Sequence, residues 1–548
     1  MKKIRFKFAA IFCLFIIIST TCYSEKNKSI QIFFINKLDP IKPGDPLKNI
    51  PFWNNKAVQF LYPPAFEVSE YPGAKSYKFL LISRNSTDTV VFTRKYPWES
   101  LFPVWNELSS GKYDLKIKAL DEKNEVLTTI YERTFHKAAK FHDNITKSEV
   151  SLDESIKMGL DALVHSKEFK CWFKEEGIPD TTYLMYRYPT KMVGAAASAM
   201  ALYTIQEPQA DDAKSVLKAA KRAADYLLSV SFKEDDYWSY HPCTYHPKLF
   251  KNALKNFKID SYMTKYGALG GGYYLDVYRA SNDKKYLDAA VRIADTYLKH
   301  QLSNGTWYLY MNGKTGELAS DNYLIPTSVM LFLQKISDLT GKREYALSAR
   351  KALDWINNNP VKTWNWQGQF EDVSPQSPYQ NLTHIEAGEF AVFLLEQYPH
   401  DKKKIELAVD LLRFTEDQFV VWDNPPIDNP SAQNPDGAAS SQSLKWLLPC
   451  VFEQYRCYVP TTGSSACFIN TLLAAYKVTG EEQLVKKANA LAVVIVNQQY
   501  SFDSDRRYQT WQKSNKGPMW FNVELGVMKA LINLRDINKC NSEYFFNN

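Results

Sequence analysis

From about residue 30 to residue 145, apolar and polar residues alternate in short runs, as in Tyr77-Lys-Phe-Leu-Leu-Ile82, Thr89-Val-Val-Phe-Thr93 and Tyr113-Asp-Leu-Lys-Ile-Lys-Ala119. Pro, Gly, Asn and Ser punctuate the runs. Alternation of period two puts every second side chain on one face, which predicts half-buried strands and a small β-sandwich over residues 25–147.

Beyond about residue 150 the period becomes helical. Twelve helices are expected, starting near Leu152, Thr190, Ala210, Thr264, Asp283, Asn322, Lys342, Leu382, Lys402, Thr462, Glu481 and Lys516. The odd-numbered ones are amphipathic and charged, as in Lys342-Arg-Glu-Tyr-Ala-Leu-Ser-Ala-Arg-Lys-Ala-Leu-Asp-Trp355, and belong outside. The even-numbered ones are poor in charge and rich in small residues, as in Val193-Gly-Ala-Ala-Ala-Ser-Ala-Met-Ala-Leu202, and belong inside. The pattern predicts a mainly α chain: an (α/α)6 toroid of six helical hairpins over residues 148–540, preceded by the β-sandwich.

The connections differ by side. Ala280-Ser-Asn-Asp-Lys-Lys-Tyr-Leu, Leu339-Thr-Gly-Lys-Arg-Glu-Tyr-Ala and Val478-Thr-Gly-Glu-Glu-Gln-Leu-Val each end an inner helix and start the next outer one within a few residues. The outer-to-inner connections are instead roughly 20, 30, 20, 20, 40 and 17 residues, against about 2–8 for an ordinary helix connection. In an alternating barrel all six emerge at one end, and long ordered loops on a rigid scaffold are where binding and catalysis concentrate.

The N-terminus adds an address. Met1-Lys-Lys-Ile-Arg-Phe-Lys leads into the apolar run Phe8–Ile18, a signal-peptide pattern too short to span a bilayer. Export to a bacterial periplasm is expected, either with cleavage after residue 24 or as a membrane-anchored lipoprotein tethered through Cys22. Losing residues 1–24 removes Lys2, Lys3, Arg5 and Lys7 and no acid, so the formal charge falls from +7 to +3. With no basic stripe, nucleic-acid binding is excluded as the main role. The eight cysteines are unpatterned, which excludes a disulfide scaffold; Cys450 and Cys457 stand close enough to pair or to remain buried thiols.

Over residues 150–540 the outer-helix repeats and one-sided long loops resemble the six-hairpin glycosidase superfamily. Trp366-Gln-Gly-Gln-Phe-Glu-Asp-Val373, Pro378-Tyr-Gln-Asn-Leu-Thr383 and Phe452-Glu-Gln-Tyr-Arg-Cys-Tyr458 look like segments of bacterial enzymes acting on uronic acids, such as the β-glucuronidases of glycoside hydrolase family 154. Unsaturated glucuronyl hydrolases and toroid polysaccharide lyases are similar in architecture. Ala74–Ile82 and Gly111–Leu120 resemble strands of a fibronectin type III module. The resemblance implies an exported glycoside hydrolase that removes terminal uronic acid, β-glucuronic acid in particular, from a polysaccharide or oligosaccharide. A uronate lyase with a Tyr or His base (Tyr455, His384 or Tyr186) and a non-catalytic glycan-binding protein are the alternatives.

Glycoside hydrolysis needs two carboxyl groups flanking the scissile bond. Glu371 and Asp372 lie in the fourth long loop behind Trp364 and Trp366, aromatics expected to exclude water and raise a carboxyl pKa. Glu453, in the fifth loop, is the expected second carboxylate; beside it stand Tyr455 and Arg456, the latter suited to a uronate carboxylate. Tyr186, Arg187 and Tyr266, with Tyr262, Trp238 and Trp520, stand near inner-helix starts as sugar-stacking or hydrogen-bonding surfaces. His384, with Glu386, could touch substrate or hold Glu371; Asp321 is a substrate contact or the N-cap of the sixth helix. His241, Cys243 and His246 are zinc-ligating types without a fourth ligand, and the loop from Asp423 to Asp436 fits no calcium spacing, so no metal is expected. Without a phosphate loop, Rossmann fingerprint or nucleophile elbow, no cofactor is expected either, and Gly270-Gly-Gly272 reads as close helix packing. The expected partner is a glycan bearing uronic acid, with membrane contact only through a lipid at Cys22 and the oligomeric state open.

Overall fold

A computed structural model describes residues 57–143, 148–246, 248–249, 261–371, 375, 377–426, 446–455, 459–502, 506–512 and 519–546. The leader, Cys22, Asp372, Arg456, Cys457 and most of the loop between Asp423 and Asp436 lie outside these residues.

The alternating segment forms β1 (Gln59–Phe60), β2 (Ser76–Ser83), β3 (Thr89–Arg94), β4 (Gly111–Leu120) and β5 (Val126–Lys137). Among the described residues they make one sheet, in the order β1-β5-β4-β2-β3, antiparallel except for β1 against β5. Among these residues no second sheet of the expected sandwich faces it. Tyr77, Phe79 and Leu81 of β2 and Tyr113, Leu115 and Ile117 of β4 are buried in a core that includes Phe60, Phe66 and Trp105, the last on the short helix Phe102–Trp105. A period of two reveals that one face is buried, not by what.

Among the described residues twelve helices of twelve residues or more follow: α1 (Leu152–Val164), α2 (Ala195–Gln206), α3 (Ala213–Val230), α4 (Tyr266–Ser281), α5 (Lys284–His300), α6 (Thr327–Thr340), α7 (Arg343–Asn358), α8 (Ile385–Gln397), α9 (Lys402–Phe419), α10 (Thr462–Thr479), α11 (Glu482–Phe502) and α12 (Phe521–Phe546). The even-numbered helices contact one another in sequence, and α12 returns to α2, so they close a ring. Each odd-numbered helix packs outside, and α1 pairs with α12 to complete the sixth hairpin. The outer α3 buries one stripe, Val216, Ala219, Ala220, Ala223, Ala224 and Leu227, whereas the inner α2 buries every residue from Ala195 to Ala201.

The repeated junctions have one physical basis. Asn282, Gly341 and Gly480 each end an inner helix in the left-handed conformation (φ 54°, 72° and 70°) and donate their N–H back to Tyr278, Ser337 and Tyr476 at 2.7–2.8 Å. That cap reverses the chain within two residues, which is where Gly or Asn is favoured. At the opposite end the described residues of the long connections (165–194, 231–265, 301–326, 359–384, 420–461 and 503–520) form a funnel over the ring's bore.

The sheet stands on the end of α9. Gln59 Nε2 donates to Val420 O (2.8 Å), the amides of Leu61 and Tyr62 donate to Asp417 Oδ1 (2.8 and 2.7 Å), and the Arg413 guanidinium lies 4.4 Å over the Tyr62 ring. Among the described residues no helix is long and apolar enough to cross a membrane.

Candidate active site

The fourth long connection enters the funnel after α7 and is held there by its neighbours. Gly368 donates to Asn381 O (2.7 Å) and Thr383 to Trp366 O (2.9 Å), closing a narrow loop; Thr383 then bridges to Gln454 of the fifth connection. Three consecutive carbonyls are clamped by side chains from other connections. Lys265 Nζ donates to Gln369 O (2.6 Å), the Tyr310 hydroxyl to Phe370 O (2.5 Å) and the Tyr245 hydroxyl to Glu371 O (3.0 Å). A carboxylate presented on backbone fixed this way loses little freedom on meeting a substrate.

Glu371 is buried, 6% exposed. Lys191, in the turn that opens into α2, pairs with its Oε1, and Tyr266, the first residue of α4, donates its hydroxyl to Oε2. The Lys191 ammonium also lies 5.4 Å over the Tyr266 ring and 5.0 Å over the Trp520 ring. Tyr188 packs against Trp520 (5.4 Å) and Tyr245 (5.8 Å), and Arg187 lies 4.9 Å over Tyr188, so an aromatic wall that carries Arg187 extends from the Lys191–Glu371 pair.

The expected rise in the Glu371 pKa is corrected by this arrangement. Burial pushes the carboxyl up, but the Lys191 ammonium and the hydrogen bonds from Lys191 and Tyr266 more than offset it, leaving the group below its ordinary value. Glu371 is an ionised carboxylate.

A second acidic group lies on α8. Lys265 donates to Glu386 Oε1 (3.1 Å), whereas Glu386 Oε2 is buried without a hydrogen-bond partner. One turn on, half-buried Glu389 is pushed up to about 7, first by burial and then by the Glu386 charge, with Lys265 opposing. Lys265 and Tyr266 are adjacent, so one stretch of backbone ties Glu386 to Glu371. Glu371 and Glu389 are thus moved in opposite directions, the first down and the second up, the pattern acid–base chemistry uses. Cys467 of α10 faces the same acids, and burial and their charge push its thiol up, making it inert. About 15 Å deeper, by the rise of α4 from Tyr266, Asp276 accepts from Ser198 and Lys529 (2.6 Å each) across the bore.

Several expected contacts fall elsewhere. Tyr186 is fully buried, its hydroxyl donating to Glu168 O and accepting from Trp172 Nε1 (2.9 Å each), so it is packing rather than a sugar surface or a base. Trp366 is fully buried against Phe390, and Trp364, at φ 58°, packs on Phe414 of the outer α9. His384 is buried against Phe419 with neither ring nitrogen hydrogen-bonded, and burial pushes its pKa down to about 3; it neither holds Glu371 nor serves as a base. Asp321 is exposed and is not the cap of α6, whose N-cap is Pro326. Tyr455 donates to Gln418 and stacks on Phe419 (5.3 Å). Glu453 is half-buried and accepts from Gln454 Nε2 (3.2 Å), while its backbone carbonyl receives the Thr383 hydroxyl (2.7 Å).

The zinc-type cluster is structural: His241 pairs with Tyr262 and Ile293 O, and His246 with Tyr226 and the Leu249 amide. Tyr262 and Trp238 are buried with His241. Cys450 is a buried free thiol. Lys191, Lys265, Glu389 and Tyr245 were not singled out from the sequence. The signal for Lys191, Lys265 and Glu389 was a charge within, or at the mouth of, otherwise charge-poor inner segments; Tyr245 carried none.

No protein-family model and no curated protein sequence matches the chain. Among solved structures it is similar to a family 76 glycoside hydrolase from a bovine Bacteroides thetaiotaomicron strain, with 10% identity and a TM-score of 0.47, covering 85% of this chain and 95% of that one. It is also similar to an unsaturated glucuronyl hydrolase specific for heparin (11%, TM-score 0.45, 71% and 98%) and to cellobiose 2-epimerase from Spirochaeta thermophila (11%, TM-score 0.47, 70% and 98%). The closed ring described above rests on this chain's own helix contacts.

Proposed function

We propose that the chain is an exported glycoside hydrolase that removes a terminal uronic acid, of the β-glucuronic type, from a polysaccharide or oligosaccharide. The observation that carries this reading is the ionised Glu371 at the funnel floor, clamped through three consecutive carbonyls, paired with Lys191 and set beside an aromatic wall that carries Arg187. Aromatic faces suit a sugar ring, and the cations suit its carboxylate.

In this reading Glu389 supplies a proton to the glycosidic oxygen as the bond to the anomeric carbon breaks. Glu371 takes a proton from the water whose oxygen replaces it. Glu453, on the adjoining ladder, is the other carboxylate proposed for the donor role. Single replacement by Gln separates the two, because only the donor's variant loses activity selectively on substrates with poor leaving groups.

Tyr266, whose hydroxyl meets Glu371 and whose ring lies 5.4 Å from the Lys191 ammonium, favours one second reading, β-elimination with the phenol as base. The test is a screen of purified protein against glucuronate-capped oligosaccharides and polysaccharides, with products resolved by mass and ultraviolet absorbance. Free glucuronate supports hydrolysis. An unsaturated uronide replaces it with the lyase reading, and no product from any substrate overturns both.

A further inference from the structure

On the outer rim of the funnel end, a cleft of about 310 Å³ lies between the end of α7 and the third long connection, lined by Asn304, Tyr323, Asp354, Trp355, Asn358 and Asn359. We propose that it is a second saccharide-binding site, separate from the funnel floor, that takes a neutral hexose unit of a glycan chain.

Its walls are an aromatic platform edged by amides. Tyr323 is 43% exposed, and one ring face is covered by Tyr308 (5.4 Å, stacked), with Trp355 edge-on at 6.4 Å. An exposed aromatic of that size, backed on one side and open on the other, presents a flat surface to the C–H face of a pyranose. The polar groups at its margin are already oriented. Asn358 Nδ2 donates to Asp354 O (2.9 Å) while its Oδ1 accepts from Lys362 (2.8 Å), and Asn359 Nδ2 donates to Trp355 O (2.7 Å). Asn304 Oδ1 accepts from the Thr306 amide (3.2 Å). Amide and carboxylate atoms around an aromatic floor match ring hydroxyls around an apolar face.

The cleft is rigid. Gly305 (φ 98°) brings the third connection so close to α7 that a Cβ there would stand 2.3 Å from Lys351 O, and Gln301 Nε2 donates to Ser348 O (2.9 Å). Gln369, two residues before Glu371, donates to Tyr323 O (2.8 Å) and accepts from the Ile325 amide (2.9 Å), so the platform is braced against the segment that carries the funnel carboxylate. Charge selects the ligand: the one formally charged lining residue is Asp354, which repels a uronate, whereas the carboxylate at the funnel floor is paired with Lys191.

The test is native affinity electrophoresis of the full chain in gels containing neutral hexose polysaccharides (glucan, mannan or galactan) or polyuronates, comparing the parent with Tyr323→Ala, Tyr323→Phe and Asp354→Ala. Thermal melting checks each variant's fold. Retardation of the parent by at least one neutral polysaccharide, weakened tenfold or more in Tyr323→Ala and Asp354→Ala and kept in Tyr323→Phe, is the expected result. No retardation by any neutral polysaccharide, retardation that persists in both variants, or retardation confined to polyuronates overturns the proposal. Because the readout is binding, it stands or falls independently of whether the funnel hydrolyses, eliminates or does neither.

Discussion

Lys191 and Glu371 form an ion pair across the floor of the funnel, joining the entrance of one inner helix to a loop 180 residues later. Both are largely shielded, with side chains 16% and 2% exposed. Removing one partner strands the other's charge. Lys191→Met is expected to cost about 3–5 kcal/mol, whereas the Lys191→Met/Glu371→Gln pair recovers most of it. Glu371→Gln alone is expected to lower kcat/KM by about 10²–10⁴. Denaturant melts and kinetics on one protein set check both.

As the proposed proton donor, Glu389 is expected to set the alkaline limit of activity. Its carboxyl is raised to about 7 and must carry its proton to act as a donor, so activity falls as pH rises through about 7. Glu371 is held below its usual value and must be ionised, so the acid limb lies below the ordinary Glu range. Glu389→Gln should depress kcat and abolish the alkaline limb. An unaltered limb in that variant assigns it to another group.

At the sheet–toroid junction burial raises Asp417 from 3.8 to about 7, despite the two backbone amides it accepts. A folded pKa above the unfolded one means stability that is complete below about pH 4 and is lost as pH rises through about 7. Asp417→Asn keeps an oxygen for both amides and removes the titration. Its melting temperature should fall less than the parent's between pH 5 and pH 8.5.

Of the helical and strand signals, those set by neighbouring residues were legible in the sequence. The helix starts, the reversals at Asn282, Gly341 and Gly480 and the outer stripes depend on residues a few positions apart. What depends on partners far along the chain was not. Glu371 seemed destined for a raised pKa because Trp364 and Trp366 stand beside it in sequence, whereas Lys191, which decides the matter, comes from another hairpin. Tyr186 and Trp366 occupy the expected helix mouths but turn sideways into the wall, a choice that local spacing does not encode.

The three glycines of α4, read together as close packing, separate in the structure. A Cβ on Gly271 would fall 2.4 Å from Phe332 and one on Gly270 2.6 Å from Pro242, whereas one on Gly272 would meet nothing within 4 Å. Gly271→Ala should destabilise by about 1–3 kcal/mol through overpacking. Gly272→Ala should stabilise by about 0.5–1 kcal/mol, since Ala is the better helix former and finds room. Thermal melts of the two variants check the contrast.

The pairing of α1 with α12 has a consequence for how the molecule is made. Contacts such as that of Lys539 with Asp153 join residues 386 positions apart. At a synthesis rate of about 5–20 residues per second, α1 waits on the order of 20–80 s for its partner. During that interval the apolar flank of α1 has no α12 to cover it. The ring therefore stays open until the last helix is made, so its closure is a late event that joins the two ends of the helical region.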